Sequence, residues 1–256
     1  MDEHAPPPPA LLLMNLVKDF GQKRAVDNLS LAVPPGSMFG LVGPNGAGKT
    51  TTLSMATGLL RPTYGQAFVL GHDVWSDPAR AKALVGVLPD GLPTFDRLSG
   101  LELLRMVGRL RRLDRAVIEE RAANLLSVLG LEEDARTLVC DYSAGMAKKI
   151  GLASALIHAP RLLILDEPFE SVDPVSGQSI RAILRDFTAG GGTVVMSSHV
   201  MELVESLCDS LAIVAQGRIL AAGTVDSVRA GRTLQDRFVE LVGGPAATGG
   251  LSWLRS

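Results

Sequence analysis

Short apolar runs, cut by glycine and proline, alternate along this chain with one long stretch of helical periodicity. Leu11-Leu12-Leu13-Met14 leads into a first strand, and turns such as Val33-Pro34-Pro35-Gly36 separate β-like runs from about residue 11 to 89. Met38-Phe39-Gly40-Leu41-Val42 reads as a strand before a glycine-rich segment, and Thr51, Leu53, Met55 and Ala56 start a helix after it. From about Asp90 to Pro160 the pattern turns helical, with Leu101, Leu104, Val107 and Leu110 recurring at spacings of three. Arg109, Arg111 and Arg112 crowd the polar segment beyond and are read as a solvated face. Leu162-Leu163-Ile164-Leu165 is uninterrupted and apolar, as a central parallel strand buried on both faces should be. An αβ unit is predicted through Ser198. Leu211 to Ala215, a turn at Gln216-Gly217 and Arg218 to Ala221 then form a closing strand pair, and Leu234 to Leu241 a terminal helix.

Candidate chemistry stands at the ends of two of these strands. Residues 43–50 are Gly43, Pro44, Asn45, Gly46, Ala47, Gly48, Lys49 and Thr50, with Thr51 following. Glycine at 43, 46 and 48 lets the backbone curl so that its N–H groups point at phosphate oxygens. Lys49 is placed to reach the outer phosphates and Thr50 to offer a hydroxyl to Mg²⁺, while the next helix turns its positive end toward the anion. At the carboxyl end of the 162–165 strand stand Asp166 and Glu167. Asp166 there can hold the magnesium, directly or through water, and Glu167 can orient or deprotonate an attacking water. Reading the two acids as a helix start before Pro168 leaves unexplained why they follow the most hydrophobic tetrapeptide of the chain.

Between these motifs, Asp141-Tyr142-Ser143-Ala144-Gly145-Met146 opens an alanine- and leucine-rich helical stretch that runs through Ile157. Here the chain resembles the ATP-binding subunits of bacterial ABC transporters, and Ser143-Ala144-Gly145 is similar to that family's signature motif. The likeness runs from about Leu12 to Glu240, with Phe20, Asp90, Asp173 and His199 in the family's order. It implies an α/β fold: a P-loop NTPase core with a mostly parallel sheet, an N-terminal antiparallel β part and an inserted helical subdomain. It also implies ATP and Mg²⁺ as ligands, with Thr50, Asp166 and Asp90 on the metal side. Phe20 resembles the aromatic that stacks on adenine, the other reading being a buried core phenylalanine. His199 resembles the switch histidine that contacts the γ-phosphate and helps hold the attacking water, Asp90 occupies the Q-loop position and Asp173 the D-loop.

Ser143 is a good helix N-cap, and a helix start attracts an anion. The resemblance implies that Ser143, Ala144 and Gly145 contact the γ-phosphate held by a second ATP-binding subunit, in a homodimer or heterodimer. A rival string, Leu98-Ser99-Gly100, lacks the alanine-rich helix behind it, so Ser99 is read as an ordinary helix cap. The chain departs from the family pattern twice. Asp90 stands where glutamine is frequent; it can ligate Mg²⁺ but adds negative charge and cannot donate a hydrogen bond when ionised. Ala144 stands where glycine is common, and a methyl group there can crowd the phosphate that the resemblance implies, although Gly145 keeps the next position open. ATP hydrolysis is expected, and whether the two departures slow it stays open at this point.

The chain has 256 residues, 46% hydrophobic and 20% charged, enough for one mixed α/β unit with a substantial core. A net charge of −2 gives no electrostatic case for nucleic acid. Cys140 and Cys208 are isolated among apolar neighbours and read as small core residues in a reducing compartment. No stretch approaches the roughly 18 apolar residues that cross a bilayer. An acidic start and Pro6 to Pro9 also argue against a signal peptide. The expected location is cytoplasmic, with the subunit held to the inner face of the membrane through a separate transmembrane permease. Residues 1–10 are expected to be a flexible, proline-rich tail, 11–242 the ATPase domain with its helical subdomain at about 91–160, and 243–256 a disordered C-terminal tail.

Other classes fit less well. A GTPase should show an Asn-Lys-x-Asp motif, and soluble ABC-type ATPases acting on ribosomes or DNA carry paired domains or long coiled coils; neither is present. The form Tyr142-Ser143-x-Gly145-Met146 is similar to exporter ATPases, while a soluble ABC-type ATPase with a non-transport role and an importer subunit stay open as the alternatives.

Overall fold

The computed structural model describes residues 8–90, 95 and 97–243. Its elements in chain order begin with β1 (Leu11–Phe20), β2 (Lys23–Val33), β3 (Met38–Val42), α1 (Lys49–Ala56), β4 (Tyr64–Val69), β5 (His72–Asp73), α2 (Pro78–Leu84) and β6 (Val85–Leu88). A helical segment follows, made of α3 (Gly100–Leu110), α4 (Arg115–Val128), a single 3₁₀ turn at Val139–Asp141 and α5 (Ala144–Leu156). The chain then alternates through β7 (Leu162–Leu165), α6 (Pro174–Ala189), β8 (Thr193–Ser198), α7 (Met201–Leu207), β9 (Ser210–Ala215) and β10 (Arg218–Thr224), ending in α8 (Val225–Arg229) and α9 (Leu234–Val242).

Two sheets carry the fold. One is antiparallel, in the order β2-β1-β4-β5; the other runs β10-β9-β3-β8-β7-β6 and is parallel except for the β9–β10 hairpin. Gln216 (φ 50°) and Gly217 (φ 75°) make the hairpin turn, both in the left-handed region that a two-residue turn between twisted strands requires. Side chains of the parallel strands alternate between two cores, as a period of two dictates. Leu163, Leu165, Val194 and Met196 face the helices, while Leu162, Ile164 and Val195 face α1 and the antiparallel sheet. All four residues of β7 are buried, so the predicted central strand is observed. Each such side chain contributes roughly 2 kcal/mol on leaving water.

The structure revises four details of the sequence reading. Leu110 is 73% exposed, whereas Leu104 is fully buried. Steps of three advance about 300° around a helix of 3.6 residues per turn, so the stripe begun at Leu101 drifts to the opposite face by Leu110. Arg111 leaves the solvated face: its guanidinium donates to the Lys82 and Val85 carbonyls, and burial lowers its pKa. Cys140 is exposed, and only Cys208 is buried, its thiol pushed up to about 12 by desolvation. Ala10, grouped with the expected N-terminal tail, is buried and hydrogen-bonded to Val33 and Leu70. Pro8, Pro9 and Gly243 are described outside any helix or strand, and residues 1–7 and 244–256 of the expected tails lie outside the described residues. Ser99 caps α3 in a reciprocal box with Glu102, as an ordinary helix start should.

Candidate functional site

Register brings the chemistry to one edge. Val42 pairs with Ser198 and Ile213, Leu165 with Met196, and Leu88 with Leu165. The strands therefore end together, and the residues that follow them (Gly43, Asp90, Asp166 with Glu167, and His199) emerge side by side at the carboxyl edge, where doubly wound sheets hold ligands.

The loop after β3 is shaped by close backbone approaches. A side chain at Gly43 would put its Cβ 2.1 Å from the Val214 carbonyl oxygen, and one at Gly48 2.5 Å from that of Ala25. Gly46 (φ 80°) and Gly48 (φ 102°) occupy left-handed backbone, so the curl requires glycine at both. Lys49 is 5% exposed and lies along the inside of the loop, donating to the Gly43 carbonyl at 2.8 Å and to Pro44 at 3.3 Å. Thr52 anchors the start of α1 by donating from both its amide and its hydroxyl to the Gly48 carbonyl.

The acidic pair lies opposite. Asp166 is 4% exposed and accepts from the Ser197 hydroxyl, which itself accepts from the Glu167 amide at 2.9 Å. Glu167 has φ 46°, left-handed backbone that costs a residue with a Cβ about 1–2 kcal/mol. Its carboxylate bridges two partners: Oε1 lies 3.4 Å from Lys49 Nζ, at ion-pair distance without hydrogen-bond alignment, and Oε2 lies 3.1 Å from His199 Nδ1. A carboxylate only accepts, so this contact places the proton on His199 Nδ1 when the imidazole is neutral.

These groups open onto one cavity of about 570 Å³, within the size range of small-molecule sites. Phe20, Asn45, Gly46, Ala47, Gly48, Lys49, Thr50, Thr51, Asp90, Glu167 and His199 line it. Gly43 and Pro44 sit behind, holding Lys49 through their carbonyls. Phe20 is 50% exposed at the end of β1, which removes the buried-core reading, and the Lys18 ammonium lies 5.2 Å from its ring centroid. Asp166 joins Thr50 and Asp90 around a smaller adjoining crevice.

Ser143, Ala144 and Gly145 are not brought to this cavity. They begin α5, whose N-cap Ser143 accepts from the Met146 amide at 3.2 Å. A Cβ on Gly145 would lie 3.4 Å from Asp173 Oδ2, so the starts of α5 and α6 adjoin one another. Asp173 caps α6 and has its pKa lowered by the Ser176 hydroxyl and amide. Sequence reasoning missed Lys23, Ala25 and Glu170 in the cavity wall, and Lys148 and Ser197 behind the acidic pair. Only Glu170 carried a signal, as a further acid three residues beyond Glu167.

The pattern of the family described as ABC transporter matches residues 26–170, from β2 through the acidic pair. The chain belongs to the ABC transporter family. Its relatives include the linearmycin resistance ATP-binding protein LnrL of Bacillus subtilis (strain 168), 38% identical over 82% of this chain and 68% of that protein. The daunorubicin/doxorubicin resistance ATP-binding protein DrrA of Streptomyces peucetius is 38% identical over 87% of this chain and 68% of its own. The Nod factor export ATP-binding protein I of Cupriavidus metallidurans is 41% identical over 83% and 70%. An ATP-binding subunit of an ABC transporter superposes with a TM-score of 0.85 at 28% identity, covering 91% of this chain and 99% of the other. A dimeric ATP-binding cassette bound to ADP and Pi shares the fold, with a TM-score of 0.78 at 20% identity over 84% of this chain and 98% of that one. The expected ABC ATPase fold is thus the fold of this chain, and ATP hydrolysis is the activity expected of an ABC domain.

Proposed function

We propose that two ATP-binding subunits of this kind hydrolyse ATP between them and drive export of a substrate through a separate transmembrane permease. The observation that carries this reading is the single cavity in which an exposed aromatic ring, a phosphate loop, a buried lysine and a carboxylate–histidine pair face one another. Phe20 offers a ring face to adenine, and Lys49, now satisfied by loop carbonyls, exchanges them for the outer phosphate oxygens. Glu167 orients the attacking water and takes its proton, while His199 fixes the direction of the carboxylate.

The crevice shared by Thr50, Asp90 and Asp166 offers only hard oxygen donors, and among the described residues no cluster of three or more acids, histidines or cysteines forms an all-protein metal cage. That sparse set fits Mg²⁺, which takes few protein ligands and completes its shell with phosphate and water. When bound, Mg²⁺ would offset charge on the phosphates.

The helix start at Ser143 lies outside its own chain's cavity with an anion-attracting end, which supports a role against a nucleotide held by a second subunit. Relatives named for drug resistance and Nod factor export support the outward direction. Among the described residues no helix is long and apolar enough to cross a membrane. The test is ATP hydrolysis by the purified chain with its membrane partner, alongside a Glu167→Gln control. Turnover well above the control, with a multi-span protein co-purifying from membranes, is expected; turnover equal to the control rejects the reading.

A further inference from the structure

Lys148 on α5 reaches from the signature helix to the acidic strand end. Its side chain is 14% exposed, and Nζ donates to the Glu167 carbonyl at 2.9 Å while standing 3.9 Å from Asp90 Oδ1. On the other side of the same residue, the Glu167 amide donates to Ser197 Oγ at 2.9 Å. The backbone of Glu167 is therefore pinned at both its amide and its carbonyl. Pinning matters because φ 46° is a conformation that a residue with a Cβ keeps only where its surroundings over-determine it. Relaxation toward ordinary backbone would swing the carboxylate away from both Lys49 and His199.

The Asp90 contact is the weaker of the two. Its side chain is 49% exposed, and at 3.9 Å water screens the pair, so the hydrogen bond to Glu167 carries the tether. We propose that Lys148 is a positioning residue: it ties Glu167 to the helix that begins at Ser143, so that the aim of the carboxylate follows the position of that helix. A charged donor suits the task because its bond to a carbonyl is stronger than a neutral one. The inference rests on the reading of Glu167 as the residue that activates water.

The experiment compares wild type, Lys148→Met, Lys148→Arg and Glu167→Gln as full chains, measuring kcat and KM for ATP, the Kd of a fluorescent ATP analogue, and Tm. Lys148→Met keeps the length and apolar stem but has no donor. It is expected to lower kcat roughly 10- to 100-fold, as small misplacements of a reacting group do, with the analogue bound about as tightly as by wild type. Lys148→Arg, which can still donate to a carbonyl, is expected to recover most of the loss. Wild-type kcat in Lys148→Met overturns the inference and leaves the ATPase reading standing. A loss that Lys148→Arg does not repair, or that comes with weakened analogue binding, assigns Lys148 to folding and also overturns it. If wild type turns over no faster than Glu167→Gln, the ATPase reading itself fails, and the inference falls with it.

Discussion

Lys49 Nζ stands 3.4 Å from Glu167 Oε1, and the two side chains are only 5% and 11% exposed. One cation thus serves both halves of the site: it is bonded to the loop that would cradle phosphate and paired with the carboxylate that would activate water. The arrangement keeps two charges compensated inside a wall that admits little solvent, where an unpaired ion is costly.

Lys49→Ala removes the only cation within the loop itself. Charge-assisted bonds to phosphate are worth about 1.5–3 kcal/mol, so ATP affinity should fall roughly 10- to 100-fold or more. Titration with a fluorescent ATP analogue measures this directly; an unchanged Kd would remove Lys49 from the binding site.

Gly86 on β6 lets α5 pack directly on the sheet. A Cβ there would lie 2.2 Å from the Ala155 carbonyl oxygen and 2.8 Å from Leu163 Cδ2. The backbone oxygen cannot move aside without shifting α5, so Gly86→Ala should destabilise the fold by about 1–3 kcal/mol, read from the urea midpoint. The helix it displaces carries both Ser143 and Lys148, so turnover should fall along with stability. A variant as stable as wild type would show that this contact is softer than the geometry indicates.

His158 sets a pH dependence away from the site. Burial and the neighbouring Arg111 lower its pKa from the ordinary 6.5 to about 4, while its Nε2 lies 3.0 Å from the Val85 carbonyl. The unfolded chain takes up a proton near 6.5 and the folded chain only near 4, so between those values the unfolded state binds more protons and stability falls as pH drops. His158→Gln should flatten that slope. Allowing for partial exposure, the difference between the two stability profiles should reach about 1–3 kcal/mol by pH 4, and parallel profiles would contradict it.

What could be read in the sequence was whatever lies close along the chain. The phosphate loop and the acidic pair each sit at the end of an apolar strand, and strand register alone then gathers Gly43, Asp90, Asp166 and His199 at one edge. Capping was also legible, because the hydroxyls of Ser99 and Ser143 bond to residues three positions on. Contacts between distant segments were not. Ser197 reaches Asp166 and Glu167 across some thirty positions, and Lys148 reaches Glu167 across nineteen, with no motif to mark either. Arg111 read as solvated because its acceptors, the carbonyls of Lys82 and Val85, leave no trace in side-chain pattern. Leu110 was misplaced because spacing by three imitates a helical face only for a turn or two.

The central claim is that each reaction centre takes its loop and acids from one chain and its Ser143 region from another. Specific ATPase activity, followed as the protein is diluted to concentrations where light scattering reads monomer, tests this most directly. The account predicts that activity per chain falls on dilution, and that Ser143→Arg abolishes it at every concentration while ATP binding survives. Full activity per chain in the verified monomer, undiminished by Ser143→Arg, would contradict it.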